Sequence, residues 1–143
     1  MIDITGAIRT AVVQKLRNQI TLDGKTISVR ARVPSTSDTG NYIYIPMQST
    51  SNASAKDFDS VDHTMDIEVV YRSEDGTNIN PLETMTNRVM QILAVKNQID
   101  MPQVAGAKVV DFVFVRRNEL IDYDGTYTIL RAILTFEAII DEQ

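Results

Sequence analysis

The sequence predicts a single α+β domain, spanning 1–143, in which a mixed, mostly antiparallel sheet of about five strands carries two helices packed on one face. Two stretches repeat apolar residues at helical spacing, and five further stretches are typical of strands. Two of these five, at 27–33 and 65–72, alternate apolar and polar residues. A length of 143 residues is typical of one domain. The predicted order of elements is therefore α-β-β-β-α-β-β, with no internal repeat or linker.

The first helix is predicted within residues 3–20, where apolar residues recur at every fourth position and form one stripe. That stripe consists of Ile4, Ile8, Val12 and Leu16. Asp23 and Gly24 follow and indicate a turn. From Ile27 to Val33 apolar and polar residues alternate, which predicts the first strand.

The second strand is predicted at Tyr42 to Ile45, after the polar segment Ser35 to Asn41. Pro46 indicates an edge strand or a bulge, because proline has no backbone N–H to donate. The polar stretch Gln48 to Ser60 predicts a long loop, and loops of this length are often used for contacts. A third alternating strand is predicted at Met65 to Tyr71.

The second helix is predicted at Asn80 to Lys96, and its start has three features of a helix N-terminus. Asn80 is a favourable N-cap, Pro81 suits the first helical position, and Glu83 stands where a capping box requires an acidic residue. A well-defined helix should therefore follow the third strand.

The runs Val109 to Val115 and Tyr127 to Ile140 predict a closing hairpin with Asp124 and Gly125 near its tip. One face of its last strand would meet the helices through Leu130, Ala132, Leu134, Phe136 and Ala138. The opposite face is also partly apolar, and two helices cannot cover both faces of such a sheet. Self-association is therefore predicted, because a monomer seldom leaves a large apolar patch in water.

Composition excludes several classes of function. Cysteine is absent, which excludes disulfides, thiolate catalysis and thiolate metal sites. The net charge of −5 is the wrong sign for attracting nucleic acid. The sequence has no apolar run long enough to span a membrane and does not begin like a secretory signal, so the protein is expected in the cytoplasm where it is made.

The single histidine, His63, lies near Asp62 and Asp66 and suggests a carboxylate-histidine site. We favour a surface histidine, because a catalytic zinc normally needs three protein ligands. The acidic run from Asp57 to Asp66 lacks the spacing of a calcium-binding EF-hand loop. No catalytic, cofactor or metal site is predicted, and a small hydrolase or ligand-binding domain using His63 is kept as a distant alternative.

Five arginines lie on the predicted strands and could form a basic strip. They are Arg30, Arg32, Arg116, Arg117 and Arg131. Aromatic residues are not interleaved with the first four as single-strand binders require, so nucleic-acid binding is the less favoured interpretation. Salt bridges between subunits are preferred, with acidic residues near the hairpin tip as partners (Glu119, Asp122 and Asp124).

The chain resembles phage tail terminator, or tail completion, proteins. The resemblance is carried by the order of elements and by four segments: Tyr42 to Pro46, His63 to Arg72, Asn80 to Lys96 and Leu130 to Ile140. It implies a non-enzymatic virion protein without cofactors that forms a ring, typically a hexamer, at the tail-head junction. Such a ring caps the tail tube, ends its polymerisation and joins the head connector or neck proteins, and genomic DNA is only passing cargo.

Two sets of residues are candidates for these contacts. The candidate subunit interface consists of Ile129, Arg131, Ile133, Val113, Val115, Arg30 and Arg32. The candidate loops that contact the tube or connector contain Thr50, Asn52, Lys56, Phe58, Asp59, Asp38 and Asn41. Another neck component, such as a head-closure or connector-adaptor protein, remains an open alternative.

Overall fold

The structure is a computed structural model that describes residues 4–31, 40–52, 60–74, 78–125 and 127–142. Two α-helices, one 3-10 helix and seven strands occur in the described residues. In chain order they are α1 (Thr5–Leu16), β1 (Thr21–Leu22), β2 (Lys25–Thr26), β3 (Ser28–Arg30), β4 (Tyr42–Asn52), β5 (Ser60–Ser73), α2 (Asn80–Leu93), the 3-10 helix (Gln98–Asp100), β6 (Ala107–Asp124) and β7 (Tyr127–Glu142).

The main sheet has five strands in the spatial order β3-β4-β5-β7-β6. Strands β3 and β4 are parallel, and the other neighbouring pairs are antiparallel. The predicted α+β class and the predicted order of helices and main strands are therefore confirmed. The short β1-β2 hairpin between α1 and β3 is an addition that the sequence pattern did not predict.

Both helices pack on the same face of the main sheet, and the core lies between them and the sheet. The predicted inward residues of β7, from Leu130 to Ala138, are all buried. Phe136 of β7 stacks on Phe112 of β6 at 5.0 Å between ring centroids and meets the edge of Phe114 at 5.7 Å. Hydrophobic burial against this face supplies the main stabilisation of the domain.

Several predicted boundaries are wrong. Helix α1 ends at Leu16, and α2 ends at Leu93. Gln48 to Asn52 continues β4 as a strand, because these residues pair with β5 through Val61, whereas they were predicted to form a loop. Strand β6 runs on to Asp124, well past the predicted end at Val115. The strand ends are predicted too early because backbone hydrogen bonds between strands continue into polar segments, where no apolar alternation indicates a strand.

The predicted capping box of α2 is also wrong. The helix N-cap is Ile79, and the side chain of Asn78 accepts a hydrogen bond from the backbone N–H of Asn80 at 3.1 Å. Glu83 pairs with Arg117 of β6. The bulge suggested by Pro46 is confirmed, since the register between β4 and β5 shifts between Tyr44 and Met47.

Thr86 of α2 places a hydroxyl in the core without a hydrogen-bond partner among the described residues. Thr86→Val has nearly the same shape and removes the desolvated hydroxyl, so it should raise the free energy of unfolding by about 1 kcal/mol. Urea denaturation measures this change.

Thr84→Val is the matched control on the same helix, because the exposed Thr84 hydroxyl donates to the Asn80 carbonyl at 3.0 Å. It should give no gain in stability. Destabilisation by Thr86→Val would show that its hydroxyl has a partner in the folded protein.

Candidate subunit interface

The face of the main sheet opposite the helices, called here the open face, has its own small apolar cluster. Tyr42 and Tyr44 of β4 and Val70 of β5 are 7%, 9% and 2% exposed. Ile129 of β7 packs against them and is half-buried. The cluster forms because strand alternation brings Tyr42 opposite Val70, and Arg72 opposite Ile129, on the same face.

Arginine side chains cover aromatic rings on the open face. The Arg30 guanidinium lies 5.0 Å from the centroid of the Tyr42 ring, and that of Arg72 lies 3.9 Å from the centroid of the Tyr127 ring. Both distances are within cation–π range. Such pairs keep the charge at the surface while the aliphatic stems cover apolar rings.

An ionic network lies beside the apolar cluster. The Arg131 guanidinium donates to Glu68 Oε1 at 3.1 Å and to Asp122 Oδ2 at 2.9 Å. The side chain of Glu68 is only 6% exposed, and that of Asp122 is 57% exposed. The positive charge of Arg131 therefore compensates the negative charge of the buried Glu68 carboxylate, whereas the Asp122 carboxylate is largely solvated.

Glu68 and burial together shift two pKa values. Burial, followed by the hydrogen bond and charge of Glu68, raises the pKa of the Tyr44 hydroxyl above its ordinary value of 10.0. Burial alone would lower the pKa of Arg131, but the hydrogen bond and charge of Glu68 outweigh it and raise that pKa. Both groups keep their neutral-pH protonation, with Tyr44 as a donor and Arg131 as a cation.

Two of the acidic residues proposed as partners across a subunit boundary, Glu119 and Asp122, form salt bridges within the chain. Arg131 binds Asp122, and Arg117 binds Glu119 at 2.6 Å. Arg117 also pairs with Glu83 of α2 and so ties β6 to the helix layer. Arg117 and Arg131 therefore have partners within the chain, and the preference for inter-subunit salt bridges stays a prediction.

Exposed apolar side chains are concentrated on β6, the long edge strand. Val113, Val115, Leu120, Ile121 and Tyr123 are 46%, 40%, 50%, 59% and 80% exposed. We call these five residues the β6 ribbon. Register places Leu120 opposite Arg131 on the open face and Ile121 opposite Leu130 on the helix face. The ribbon is thus apolar on both of its faces.

Val113 and Val115 are predicted interface residues, whereas Leu120, Ile121 and Tyr123 are not, because the predicted strand ends at Val115. The register shift between Phe114 and Arg116 interrupts the alternation at this point. The Asp124-Gly125 turn is the sequence signal for these three residues, since the two strands of a hairpin pair outward from their turn and the partner strand is predicted to begin at Tyr127.

The remaining predicted interface residues lie on the open face or at its edge. Ile129 and Ile133 are half-buried on β7, and Arg30 is half-buried on the edge strand β3. Arg32 lies outside the described residues.

The predicted contact loops are only partly described. Thr50 and Asn52 are exposed residues of β4. Asn41 precedes β4, and its side chain accepts from the Arg72 backbone N–H at 2.9 Å. The other residues of this set lie outside the described part of the chain; they are Asp38, Lys56, Phe58 and Asp59.

His63 is buried at 1% exposure, so the expectation of a surface histidine is wrong. Strand alternation puts it on the helix face, and Asp62 and Asp66 on the open face. Asp66 accepts from the Thr135 hydroxyl at 2.6 Å. The carboxylate-histidine constellation therefore does not form, and no cluster of potential metal ligands occurs among the described residues.

The imidazole of His63 instead belongs to a network under α1. Gln48 Nε2 donates to the Thr5 carbonyl at 2.9 Å and lies 3.1 Å from His63 Nε2. Gln48 Oε1 accepts from Arg9 at 3.2 Å, and Thr50 Oγ1 lies 2.7 Å from His63 Nδ1. Because the Gln48 amide nitrogen is a donor, His63 Nε2 accepts. The histidine thus anchors the start of α1 to β4 and β5.

A chain of the virion of a native gene transfer agent particle shares this fold. The two chains are 21% identical, the alignment covers 99% of each, and the TM-score is 0.76. The likeness extends over the whole architecture and shows the fold. No family model and no curated protein matches the sequence. Among the described residues, neither helix is long and apolar enough to cross a lipid bilayer.

Replacing Arg131 by methionine should lower the free energy of unfolding by about 3–5 kcal/mol, because the Glu68 carboxylate is left buried without its cation. Asp122→Asn removes the exposed partner of the same arginine and should cost less than about 1 kcal/mol. Urea denaturation of both variants provides the comparison. Equal losses would show that Glu68 is solvated in the folded protein.

The raised pKa of Tyr44 makes stability depend on alkaline pH. The folded-state pKa exceeds the unfolded value of 10.0, so this contribution is complete below pH 10.0 and is lost as the pH rises through the folded value. Titration of tyrosinate absorbance should show a late step that Tyr44→Phe removes. Tyr123→Phe, at an 80% exposed position, should retain that step. A late step that survives Tyr44→Phe would contradict this assignment.

Proposed function

We propose that the chain is a structural protein of a phage-like virion and that it forms a ring, with hexamer as the expected size, at the joint between tail and head. The observation that carries this proposal is the full-length likeness of its fold to a chain of the gene transfer agent virion. In this role the ring caps the tail tube, ends its polymerisation and presents a surface to the head connector.

The surface of the subunit supports a role in assembly. The β6 ribbon exposes five large apolar side chains along one edge of the sheet. A free edge strand also presents backbone donors and acceptors that a partner can pair with. In a ring, a neighbouring molecule could cover the β6 ribbon of every subunit, so assembly would remove apolar surface from water.

The proposed environment also fits the charge of the chain. The ring is assembled in the host cytoplasm and remains in the virion at the tail-head junction. With a net charge of −5 per copy, a ring multiplies negative charge around its channel. Genomic DNA would pass such a channel without being bound, since phosphate contacts need positive charge.

A second candidate within the same class is another neck component, such as a head-closure or connector-adaptor protein. The likeness to a virion chain supports it equally, because that likeness is to a chain of a whole virion and favours no one position in the particle. The two candidates differ in partner, since a terminator binds the end of the tail tube and an adaptor binds the connector.

Capping of tail tubes is the direct test. Purified protein added to the polymerising tail-tube protein of the same phage should shorten the tubes and appear at one tube end by electron microscopy. Binding to connector assemblies without any effect on tube length would support the neck alternative and reject the terminator role.

Variants refine this test. Val113→Asp, on the exposed part of β6, should abolish capping because it places a charge in the proposed contact. Ile99→Asp is the matched control at an 88% exposed apolar position on the 3-10 helix, and it should cap normally. Circular dichroism of both variants confirms the fold.

A further inference from the structure

Strand β6 is an edge of the main sheet, and the two parts of that edge differ. The 3-10 helix lies against the first part, where Gln98 Nε2 donates to the Val110 carbonyl at 3.4 Å. Past its second register shift, from Arg116 to Asp124, β6 pairs with β7 residue by residue. These nine residues are called here the free edge. Among the described residues, no strand pairs with their outer side.

The free edge lacks the features that commonly protect edge strands from pairing. Natural proteins place proline, lysine or a bulge in such strands. Residues 116–124 contain neither proline nor lysine, and their register with β7 is unbroken. The side chains of Leu120, Ile121 and Tyr123 are exposed there. A regular, exposed edge that carries apolar side chains is a surface to which another strand can add.

The order of charges along the free edge favours a second copy of this chain as the added strand. Arg116 and Arg117 lie at its start, Leu120 lies in its middle, and Asp122 lies in its last part. Two copies of this strand that run antiparallel bring the basic start of each beside the acidic last part of the other, and opposite charges favour association. The same two strands in parallel would bring arginine beside arginine.

Symmetry and length together select one register for this pairing. A two-fold axis that relates antiparallel edge strands is perpendicular to the sheet, so each face continues onto the same face of the second copy. Pairing the whole free edge with itself places Leu120 at the axis, opposite Leu120 of the second copy. An axis one residue earlier would set Glu119 against Glu119, and like charges directly opposite each other are destabilising. An axis one residue later would set the charged Asp122 against Leu120.

The side chains that meet in this register are complementary. On the open face, Asn118 lies opposite Asp122 of the second copy, so an amide donor meets a carboxylate. Arg116 lies diagonal to the same Asp122 carboxylate, within reach of its long side chain. On the helix face, Arg117 lies opposite Tyr123 of the second copy, and arginine stacks favourably on a tyrosine ring. Both faces of the sheet therefore favour the pair.

We infer that unassembled copies of this chain pair as a two-fold dimer through the free edge, so that two five-stranded sheets become one continuous sheet. This inference goes beyond the proposed function, because it concerns the subunit before it enters a ring. The dimer covers Leu120, Ile121 and Tyr123 of the β6 ribbon. A paired subunit cannot offer these side chains to any other molecule, so the dimer has to open before the ring forms.

Single cysteine substitutions test the register, because the chain contains no cysteine of its own. Leu120→Cys places two thiols across the axis, where opposed Cα atoms of an antiparallel pair are about 4.5–5.5 Å apart and within disulfide range. Mild oxidation should convert this variant to a covalent dimer of twice the 16.0 kDa monomer mass. Ile99→Cys and Val113→Cys, at exposed apolar positions away from the axis, should remain monomeric on a denaturing gel without reductant.

Two charge variants test the order of charges. By light scattering across a concentration series, the wild type should reach twice the monomer mass. Arg116→Glu and Asp122→Lys should each weaken this association by at least about tenfold, because each sets like charges beside each other in the dimer. Their equimolar mixture should recover the dimer, since Glu at 116 then meets Lys at 122 of the other variant. Circular dichroism of both variants confirms the fold.

Three results would overturn the dimer. They are a wild type that is monomeric at every concentration, crosslinking of Leu120→Cys no faster than that of Ile99→Cys, and a mixture of the charge variants that stays monomeric. Tube capping is measured separately. The oxidised Leu120→Cys dimer should leave tube length unchanged and should cap tubes once it is reduced. A wild type that forms only closed rings and caps tubes rejects the dimer alone, whereas a wild-type dimer that ignores tubes rejects the proposed function alone.

Discussion

The structure depends on β7 being hydrogen-bonded on both sides. It pairs with β5 from Ser73–Thr128 to Ser60–Asp141 and with β6 from Asp124–Tyr127 to Ala107–Glu142. This double pairing fixes which residues of β7 face the helices. A slip of one residue would move Leu134 and Phe136 from the core to the open face, so the register is specified by the hydrophobic effect along the whole strand.

The open face shows how a sheet surface without helices remains ordered. Tyr42, Tyr44 and Val70 are buried beneath their neighbours' side chains, and Arg131 joins Glu68 of β5 to Asp122 of β6 across β7. This ionic network links three strands through one guanidinium. Its partners lie within the chain, so the network contributes to the stability of the subunit, and most of the large apolar side chains left exposed lie on β6.

Much of the fold follows from local sequence, and the candidate site follows only in part. The alternation in β7 and the apolar stripes of both helices predict which faces are buried, and these predictions are confirmed. They succeed because burial on one side imposes a period of two on strands and of 3.6 on helices. The predicted surface position of His63 is wrong, because the alternation of β5 places its side chain on the helix face, under α1 and beside Gln48. The Leu120 to Tyr123 part of the ribbon was missed because a bulge changes the alternation.

The sequence by itself determined the α+β class, the order of the main elements, the buried face of the closing hairpin and an excess of apolar residues beyond what two helices can cover. These properties depend on composition or on the pattern of residues close together in the sequence, so they can be predicted without knowing the tertiary structure. Only the tertiary structure decided the pairing of Arg131 with Glu68, the burial of His63, and the position of the β6 ribbon at one edge of the main sheet. Those features depend on strand order and register, which bring together residues separated by long stretches of chain.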